Sequence, residues 1–331
     1  KTAVDRTKDL LVVSISKNLN LNDKFTRSSS FRIADLGCSI GPTTFYVMDI
    51  IIKAVRDKYK AEERTANIPE FFVFFNDHIT NDFNALFASL PGERQYIAAG
   101  VPGSFHGRLF PKAALDFIYS SNALHWLSKA PKELSDKNSP AYNVERIFYI
   151  NSPTAVCDAY LAQFTKDMES FLSARAQELI SGGLMVLLFP GRMNGAGRSA
   201  YTSGGHSFFP LEAILLELEK EGMVSKNEME HFNVPIYYPS PDELTSIIQR
   251  NDNFEIVQLD IFSEKSMPVV SKQILRAAMG GMLSSHFRIE IMEEIFVRYE
   301  KNIPSLCLRN QNAPECDAVL IYIALWCKKS W

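Results

Sequence analysis

Apolar positions follow two different spacings along the first 190 residues. A helical spacing over 3–20 predicts an amphipathic helix with Val4, Leu11, Ile15 and Leu19 on one side. Short apolar runs predict strands at 31–36, 70–75, 96–100, 115–121 and 184–189, with helices between them at 42–60, 81–90 and 155–180. The last of these helices is expected to stop at Gly182-Gly183, a common helix end. Apolar strands alternating with helices are typical of a parallel sheet covered on both faces.

The pattern changes after about residue 190. A Gly/Ser-rich stretch at 191–207 precedes predicted helices at 210–222, 241–251 and 273–301, and predicted strands at 254–261 and 318–327. The sequence therefore predicts an α/β fold with a seven-stranded, mostly parallel sheet and an α-helical cap. Its expected organisation is a core at 1–190, a mainly helical cap at 191–301 with one core strand (254–261), and a last core strand within 302–331. Folds of this class bind ligands at the carboxyl ends of their strands.

Composition narrows the classes of partner. The 331 residues carry 35 basic and 38 acidic side chains, whereas a nucleic-acid binder is expected to show a strong basic excess. No window approaches 18 uncharged apolar residues, so no membrane partner is expected. The five cysteines form no CxxC pair and the six histidines no HExxH motif, which disfavours a disulfide scaffold or a histidine-built zinc site. The cytoplasm is the expected compartment.

The most informative motif is ADLGCSIGP at 34–42, where a strand passes into a helix. Gly37 and Gly41 allow a tight turn and close approach of a ligand to the backbone, and the helix start offers free N–H groups. The G-x-x-x-G spacing is not that of a dinucleotide-binding dehydrogenase, and no Gly-Lys-Ser/Thr follows as in a P-loop. Asp35, just before the first glycine, suits a ligand with a cationic amine, such as S-adenosylmethionine (SAM). The alternative is an ordinary glycine turn.

Asp77 ends the next predicted strand, and its carboxylate could accept hydrogen bonds from both hydroxyls of a ribose. The alternative is an N-cap for the helix at 81–90, since Asn and Asp recur at 76, 77, 81 and 82. Together with the first motif, the pattern favours ribose binding.

Ser104 lies in the sequence GSFHGR at 103–108, which looks like a nucleophile elbow. The glycine that this elbow requires two residues before the serine is replaced by Pro102, so a serine hydrolase is not expected. Ser104 and Phe105 could instead bracket an adenine, with the hydroxyl hydrogen-bonding and the ring stacking. The alternative is a structural turn.

His125 and Trp126 follow the predicted strand at 115–121, in the sequence SSNALHWL at 120–127. They could donate hydrogen bonds to a carboxylate or a heterocycle of a substrate, or form a satisfied pair in the core. The methionines between 279 and 292 pose a similar choice, between core packing and a soft, adaptable pocket wall.

With these four motifs in register, the chain resembles the plant SABATH family of methyltransferases, which methylate carboxylic acids such as salicylic, jasmonic, indole-3-acetic and farnesoic acids, or the nitrogens of caffeine precursors. The resemblance rests on ADLGCSIGP (34–42), NDHITNDFNALFASLP (76–91), VPGSFHGRLFP (101–111), SSNALHWLSKAP (120–131), SGGLMVLLFPGR (181–192), HFNVPIYYPSPDEL (231–244) and RAAMGGML (276–283). It implies a class I, Rossmann-like methyltransferase fold, SAM as methyl donor and a homodimer.

The resemblance also implies roles for single residues. Asp35 and Cys38, with Gly37 and Gly41, would contact the methionine part of SAM, while Asp77 and His78 would contact its ribose and adenosine, and Ser104 and Phe105 its adenine. Asn122, His125 and Trp126 would line the acceptor pocket. Family members link magnesium to the positions of Asn151, Glu230, Phe232 and Asn233, so Mg²⁺ is a further expected ligand.

Three departures from the family pattern stand out. The N-terminal segment that carries a donor-contacting Tyr and an acceptor-contacting Gln does not precede Lys1, so a trimmed chain is expected. Asn122 stands where carboxyl methyltransferases often have Tyr, and Thr43 replaces the usual Asn after Gly-Pro.

The expected reaction is transfer of a methyl group from SAM to the carboxylate of a small planar or terpenoid acid. The alternative is N-methylation of a xanthine or another N-heterocycle. Asn122 slightly favours this alternative, because its amide can both donate hydrogen bonds to a heterocycle and accept them from it. A non-enzymatic sensor that binds SAM is a third hypothesis. Since a carboxylate is already a nucleophile at neutral pH and a sulfonium is an activated leaving group, orientation and desolvation are expected to matter more than a general base.

Overall fold

A computed structural model describes residues 3–21, 29–198, 208–265, 270–310 and 317–328. The strands are β1 (Ser30–Leu36), β2 (Glu70–Asp77), β3 (Ile97–Pro102), β4 (Leu115–Ser121), β5 (Leu179–Gly191), β6 (Phe254–Lys265) and β7 (Asp317–Cys327). The α-helices are α1 (Ala3–Asn18), α2 (Pro42–Ala61), α3 (Phe83–Ala88), α4 (Thr154–Glu178), α5 (Phe209–Lys220), α6 (Lys226–His231), α7 (Pro241–Gln249), α8 (Lys272–His286) and α9 (Ile289–Asn310).

The seven strands form one sheet in the order β3-β2-β1-β4-β5-β7-β6. Strands β1 to β5 pair in parallel, while β7 runs antiparallel to both β5 and β6. The predicted mostly parallel sheet is thus confirmed. From β1 the chain builds outward to β3 and then returns to add β4 on the other side of β1. This reversal makes the carboxyl ends of β1 and β4 the expected ligand crevice.

Side chains of the strands alternate between two hydrophobic clusters, one on each face of the sheet. In β1, Phe31 and Ile33 belong to the cluster under α1 and α2, whereas Ala34 and Leu36 belong to the opposite one. That second cluster continues without a break from α4 into α5 and α7 to α9. Helices from the predicted core and from the predicted cap therefore share one hydrophobic interior.

The end of α4 differs from the prediction. Gly182 and Gly183 do not stop the helix; they lie inside β5, which begins at Leu179. The register shifts here, so that six residues of β5, from Leu179 to Leu184, face the three residues of β4 from Leu115 to Phe117. Gly182 takes a φ of +82° in this bulge, and a Cβ on Gly183 would lie 3.0 Å from the carbonyl oxygen of Asp116. Both glycines serve the bulge rather than a helix end.

Two further helices depart from the expectation. The single helical stretch predicted at 273–301 is two helices, α8 and α9, which are separated at Phe287 and Arg288. Helix α6 was missed altogether, although Ser225 caps it and Glu228 completes a capping box, a pattern visible in the sequence.

The remaining predictions concern the methionines, the Gly/Ser-rich stretch, the cysteines and the absence of membrane-spanning helices. Met279 and Met292 are buried in the core, as the simpler interpretation expects. The Gly/Ser-rich stretch predicted at 191–207 is described only as far as Arg198, and the side chain of Cys307 and all of Cys316 lie outside the described residues. Cys38 and Cys157 are free thiols. Among the described helices, none is both long and apolar enough to cross a membrane.

Candidate active site

The turn after β1 is where the sequence motifs meet. The N–H groups of Gly37 and Cys38 donate to the carbonyl oxygen of Asn76 at 2.9 and 3.0 Å, which joins the turn to the end of β2. Gly37 has a φ of +82°, and a Cβ there would lie 2.3 Å from the Cβ of Ala123 and 3.7 Å from the ring of Phe105. Only a residue without a side chain lets these segments approach so closely.

Asp35 is a buried carboxylate with a weak set of partners. Its side chain is 3% exposed and accepts a hydrogen bond from the hydroxyl of Thr44. Within the described part of the chain, no basic side chain pairs with it. Burial raises the pKa of Asp35 to about 7; the Thr44 hydrogen bond acts in the opposite direction, and the charge of Asp77 raises it further. A cationic group bound beside Asp35 would restore its ionised form.

The start of α2 leaves backbone donors free. Its N-cap, Gly41, makes no side-chain capping hydrogen bond, and Pro42 occupies the first turn. A Cβ on Gly41 would meet nothing within 4 Å, so the N-cap faces open space. Free N–H groups and the positive end of a 20-residue helix suit a carboxylate. Cys38, beside this turn, is buried, and burial raises the pKa of its thiol, which therefore stays protonated.

Asp77 joins the ends of two strands. Its carboxylate accepts hydrogen bonds from the N–H groups of Ser39 and His78, both at 2.7 Å. The N-cap of α3 is Asp82, which accepts from the N–H of Ala85, so the capping interpretation of Asp77 is wrong. Each oxygen of Asp77 keeps a lone pair for a further donor. His78 is exposed next to it.

The loop of residues 103–110, here called the Ser104 loop, lies beside the turn after β1. Its first residues are held by the buried amide of Asn76, which donates to the carbonyl oxygens of Val101 and Gly103 at 2.7 and 2.9 Å. Ser104 is exposed, and its hydroxyl accepts from the N–H of His106 at 3.3 Å. The ring of Phe105 is half-buried and lies near Gly37. The ring of Phe105 is thus on the side of the loop next to the turn.

Residues 122–128, here called the His125 segment, follow β4. His125 is buried, its Nδ1 has no hydrogen-bond partner, and the ring of Tyr238 stacks on it at 5.7 Å and 18°. Burial lowers the pKa of His125 to about 3, so the imidazole is uncharged at neutral pH. The interpretation of His125 and Trp126 as a satisfied pair in the core is therefore wrong, because Nδ1 of His125 has no partner. Trp126 is half-buried, 5.8 Å from His125, and Asn122 is exposed and donates to the hydroxyl of Ser121.

Some residues of the site escaped the sequence interpretation. Thr44 and Asn76 contribute through hydrogen bonds that no sequence motif predicts. The segment from Pro235 to Tyr238 pairs with the His125 segment: the N–H of Leu127 donates to Pro235 at 2.7 Å, and that of Tyr237 to His125 at 2.9 Å. Two adjacent tyrosines between prolines, at 235–239, are the sequence signal that could have found this segment.

The four residues assigned to magnesium make a poor cation site. The carboxylate of Glu230 already pairs with the ammonium group of Lys137 at 2.9 Å, and this pairing lowers the pKa of Glu230. A cation would have to displace that ammonium group. Among the described residues, no group of three His, Cys, Asp or Glu side chains could hold a metal ion.

The remaining three are engaged or badly placed as ligands. The buried Asn233 accepts through Oδ1 from the amide of Asn143 at 2.8 Å. Phe232 packs against Phe287 at 4.9 Å and could offer only its carbonyl oxygen. Asn151 is exposed on a turn with a φ of +59°. These contacts fit a structural role for the set better than ligation of Mg²⁺.

Comparison with known proteins gives a consistent answer. The family model described as "SAM dependent carboxyl methyltransferase" matches residues 1–325. A loganic acid O-methyltransferase from Catharanthus roseus is 44% identical over 92% of this chain and 83% of its own length. A farnesoic acid carboxyl-O-methyltransferase from Arabidopsis thaliana is 40% identical, over 87% and 83%. A 3,7-dimethylxanthine N-methyltransferase from Camellia sinensis var. assamica is 36% identical, over 80% and 76%.

A solved structure is similar throughout. It is a loganic acid methyltransferase with SAH, which is 40% identical, has a TM-score of 0.87 and covers 99% of this chain and 93% of its own. The class I, Rossmann-like methyltransferase fold and the dependence on SAM are thereby confirmed. With the family match, the relatives and the shared fold together, this chain belongs to the SAM-dependent carboxyl methyltransferases, and the resemblance to the SABATH family is confirmed.

Proposed function

We propose that the chain transfers the methyl group of SAM to the carboxylate of a small terpenoid acid and so forms a methyl ester. The carrying observation is the buried, uncharged His125, whose Nδ1 lacks a partner, beside the half-buried Trp126. Relatives named for loganic and farnesoic acids support the terpenoid class.

On the donor side, we assign each contact by the chemistry of the group. The cationic amine of SAM pairs with Asp35, and its carboxylate lies at the free N–H groups of α2, with Gly37, Cys38 and Gly41 forming the turn. The ribose hydroxyls donate to Asp77, with His78 beside the adenosine. The adenine contacts Ser104 and Phe105. SAM supplies an electrophilic methyl group, and these residues hold it in place.

On the acceptor side, Trp126 and the neutral His125 donate hydrogen bonds to the carboxylate, with Asn122 at the mouth of the site. Neutral donors orient an acid without cancelling its charge, which keeps the oxygen nucleophilic. Because the acid is already ionised at neutral pH, no side chain has to remove a proton. The residues act by orientation and by exclusion of water.

The reaction is tested with SAM labelled in its methyl group and a panel of loganic, farnesoic and indole-3-acetic acids and dimethylxanthine. Loss of the label from the product under mild alkali identifies a methyl ester. Label that survives alkali identifies N-methylation, the second candidate, and would overturn the carboxylate assignment. Binding of SAM without turnover of any acceptor in the panel would favour the sensor.

Replacing Trp126 by Phe should raise the KM of the acid about tenfold, because a hydrogen bond to a charged group contributes about 1.5–3 kcal/mol. The dissociation constant of SAH should change less than twofold, since the ring volume remains largely filled. Trp326→Phe, on the distant strand β7, is the matched control and should change neither value. A selective loss of SAH affinity in Trp126→Phe would remove Trp126 from the acceptor site.

Chelation is expected to leave activity within twofold of the untreated enzyme. Lys137 already neutralises Glu230, and methyl transfer from a sulfonium needs no Lewis acid. The measurement is turnover after dialysis against EDTA, with and without added Mg²⁺. A loss of activity that Mg²⁺ restores would contradict our interpretation and revive the magnesium site.

We also propose the domain division at 190 and 301, a cytoplasmic location and a homodimer. The free thiols of Cys38 and Cys157 suit a reducing compartment. Ile274 and Ile289, on α8 and α9, are 61% and 56% exposed and would be covered by a subunit contact. Sedimentation equilibrium decides the oligomeric state.

A further inference from the structure

We propose that α4 positions the Ser104 loop and the His125 segment relative to each other, through Arg175 and Asp167. These two side chains would then be positioning residues that set the distance between the adenosine of SAM and the acceptor. The proposal rests on the donor and acceptor sites proposed above. It assigns a task to a buried charged face that neither site uses directly.

Arg175 attaches the Ser104 loop to α4 through hydrogen bonds to the backbone of the loop. The guanidinium is fully buried, donates to the carbonyl oxygens of Phe105 and Gly107 at 2.7 Å each, and pairs with Glu178 at 2.7 Å. Glu178, also fully buried, accepts from the N–H groups of Leu109 and Phe110 at 2.5 and 3.0 Å. One buried ion pair thus makes four hydrogen bonds to the backbone of a single loop.

This arrangement is more specific than burial of charge alone requires. A buried ion pair is weak support for stability, because desolvation offsets most of its attraction. Here every nitrogen of the Arg175 guanidinium has a partner. One partner is the carbonyl oxygen of Phe105, a proposed adenine contact, and another is that of Gly107, two residues further along the loop. The planar fork of an arginine holds two carbonyl oxygens in a fixed geometry, whereas the donors of a lysine ammonium group rotate on a flexible stem.

Asp167 holds the His125 segment in the same manner. It is buried, and its carboxylate accepts from the N–H of Ser128 at 2.8 Å, from the hydroxyl of Ser128 at 2.7 Å and from the amide of Gln163 at 2.9 Å. Ser128 is two residues from Trp126. The end of the His125 segment is therefore tied to α4 by a charged acceptor.

Asp167, Arg175 and Glu178 lie on one face of the helix. Their spacings of eight and three residues place them within about 80° around the axis, and Asp167 and Arg175 are about 12 Å apart along it. His106 lies between the two attachment points: its ring is 4.8 Å from that of Phe105. Burial lowers the pKa of His106, while the charge of Asp167 and the backbone of Trp126 act in the opposite direction. A single rigid helix therefore sets the spacing of the two segments.

The test compares Arg175→Lys and Asp167→Asn in the full chain. We expect Arg175→Lys to weaken SAH binding about tenfold and to leave the KM of the acid within twofold. Asp167→Asn should raise the KM of the acid about tenfold and leave SAH binding within twofold. The acid is the one in the panel that reacts fastest. Glu169→Gln, which removes an exposed carboxylate of the same helix paired with Arg250, is the matched control and should change neither constant.

Hydrogen exchange of the SAH complex gives a readout that needs no acceptor. Arg175→Lys should raise deuterium uptake in peptides from 103–110 at least threefold more than in those from 122–128, and Asp167→Asn should give the opposite pattern. If Arg175→Lys fails to fold, Ser170→Ala replaces it, because the exposed Ser170 hydroxyl donates to the carbonyl of His106 at 2.7 Å. It should increase uptake in the Ser104 loop alone.

Equal weakening of both constants, or uptake that spreads over both segments, would overturn the proposal and leave α4 with a purely structural role. Phe105→Ala separates this failure from a failure of the proposed sites. If SAH affinity is unchanged in Phe105→Ala, the adenine assignment is wrong, while the exchange pattern still decides whether Arg175 holds the Ser104 loop and Asp167 holds the His125 segment.

Discussion

Replacing Gly37 by Ala should lower the affinity for SAH at least a hundredfold. The left-handed backbone at φ +82° costs about 1–2 kcal/mol for a residue with a Cβ. The new Cβ would also lie 2.3 Å from that of Ala123, so the turn after β1 has to move away from the His125 segment. That movement displaces Asp35 and Asp77 relative to each other. Isothermal calorimetry with SAH measures the loss.

Gly222→Ala is the control for backbone strain alone. Gly222 has a similar φ of +75°, but a Cβ there would meet nothing within 4 Å. This variant should lose about 1 kcal/mol of unfolding free energy and bind SAH normally. Normal SAH binding by Gly37→Ala would show that the close approach of Gly37 and Ala123 does not shape the donor site.

Replacing Asp35 by Asn should weaken SAM binding ten- to a hundredfold at pH 8, because the charge that pairs with the cationic amine is lost. The wild type should bind SAM about tenfold less tightly at pH 6 than at pH 8. Burial raises the pKa of Asp35 from 3.8 to about 7, so most of the carboxylate is protonated at pH 6. The variant should show no such dependence. Cys38 and Tyr119 also face Asp35, and their raised pKa values keep both neutral over this range.

Stability should change in the opposite direction to affinity. Between pH 3.8 and 7 the native state keeps a proton on Asp35 that the unfolded chain loses, so the unliganded protein becomes less stable as pH rises through this range. Asp35→Asn should therefore unfold at a higher temperature than the wild type at pH 8, while binding SAM less well. Asp116→Asn, which disrupts the buried pair with Arg32, should only lose stability. Wild-type affinity in Asp35→Asn would exclude Asp35 as the partner of the amine.

Much of the sheet could be predicted because its strands are buried on both faces. Runs such as FFVFF at 71–75 have no polar position to confuse the assignment, and Pro42 marks the start of α2. Gly182 and Gly183 misled the prediction, because a glycine pair signals either a helix end or a bulge. Only the pairing of β5 with β4 decides between the two, and that contact is not local in the sequence.

The residues of the candidate site likewise divide into those that could be placed from sequence and those that could not. Asp35, Gly37 and Asp77 could be placed from sequence, since each lies at or just beyond the end of a strand and these ends meet at one edge of the sheet. Tyr238 and Asn76 could not, because their roles come from contacts with His125 and with the Ser104 loop over more than 20 positions of chain. From the sequence alone, the buried charged residues of α4 could not be distinguished from the ordinary polar positions of a long helix.

The hydrophobic interior that α4 shares with α5 and α7 to α9 has a thermodynamic consequence. Since no polar seam divides it, the sheet and these helices should lose their structure in one cooperative transition rather than melt separately. A ligand that binds only at the sheet edge would then shift the melting of helices it never touches, because it stabilises the native state as a whole.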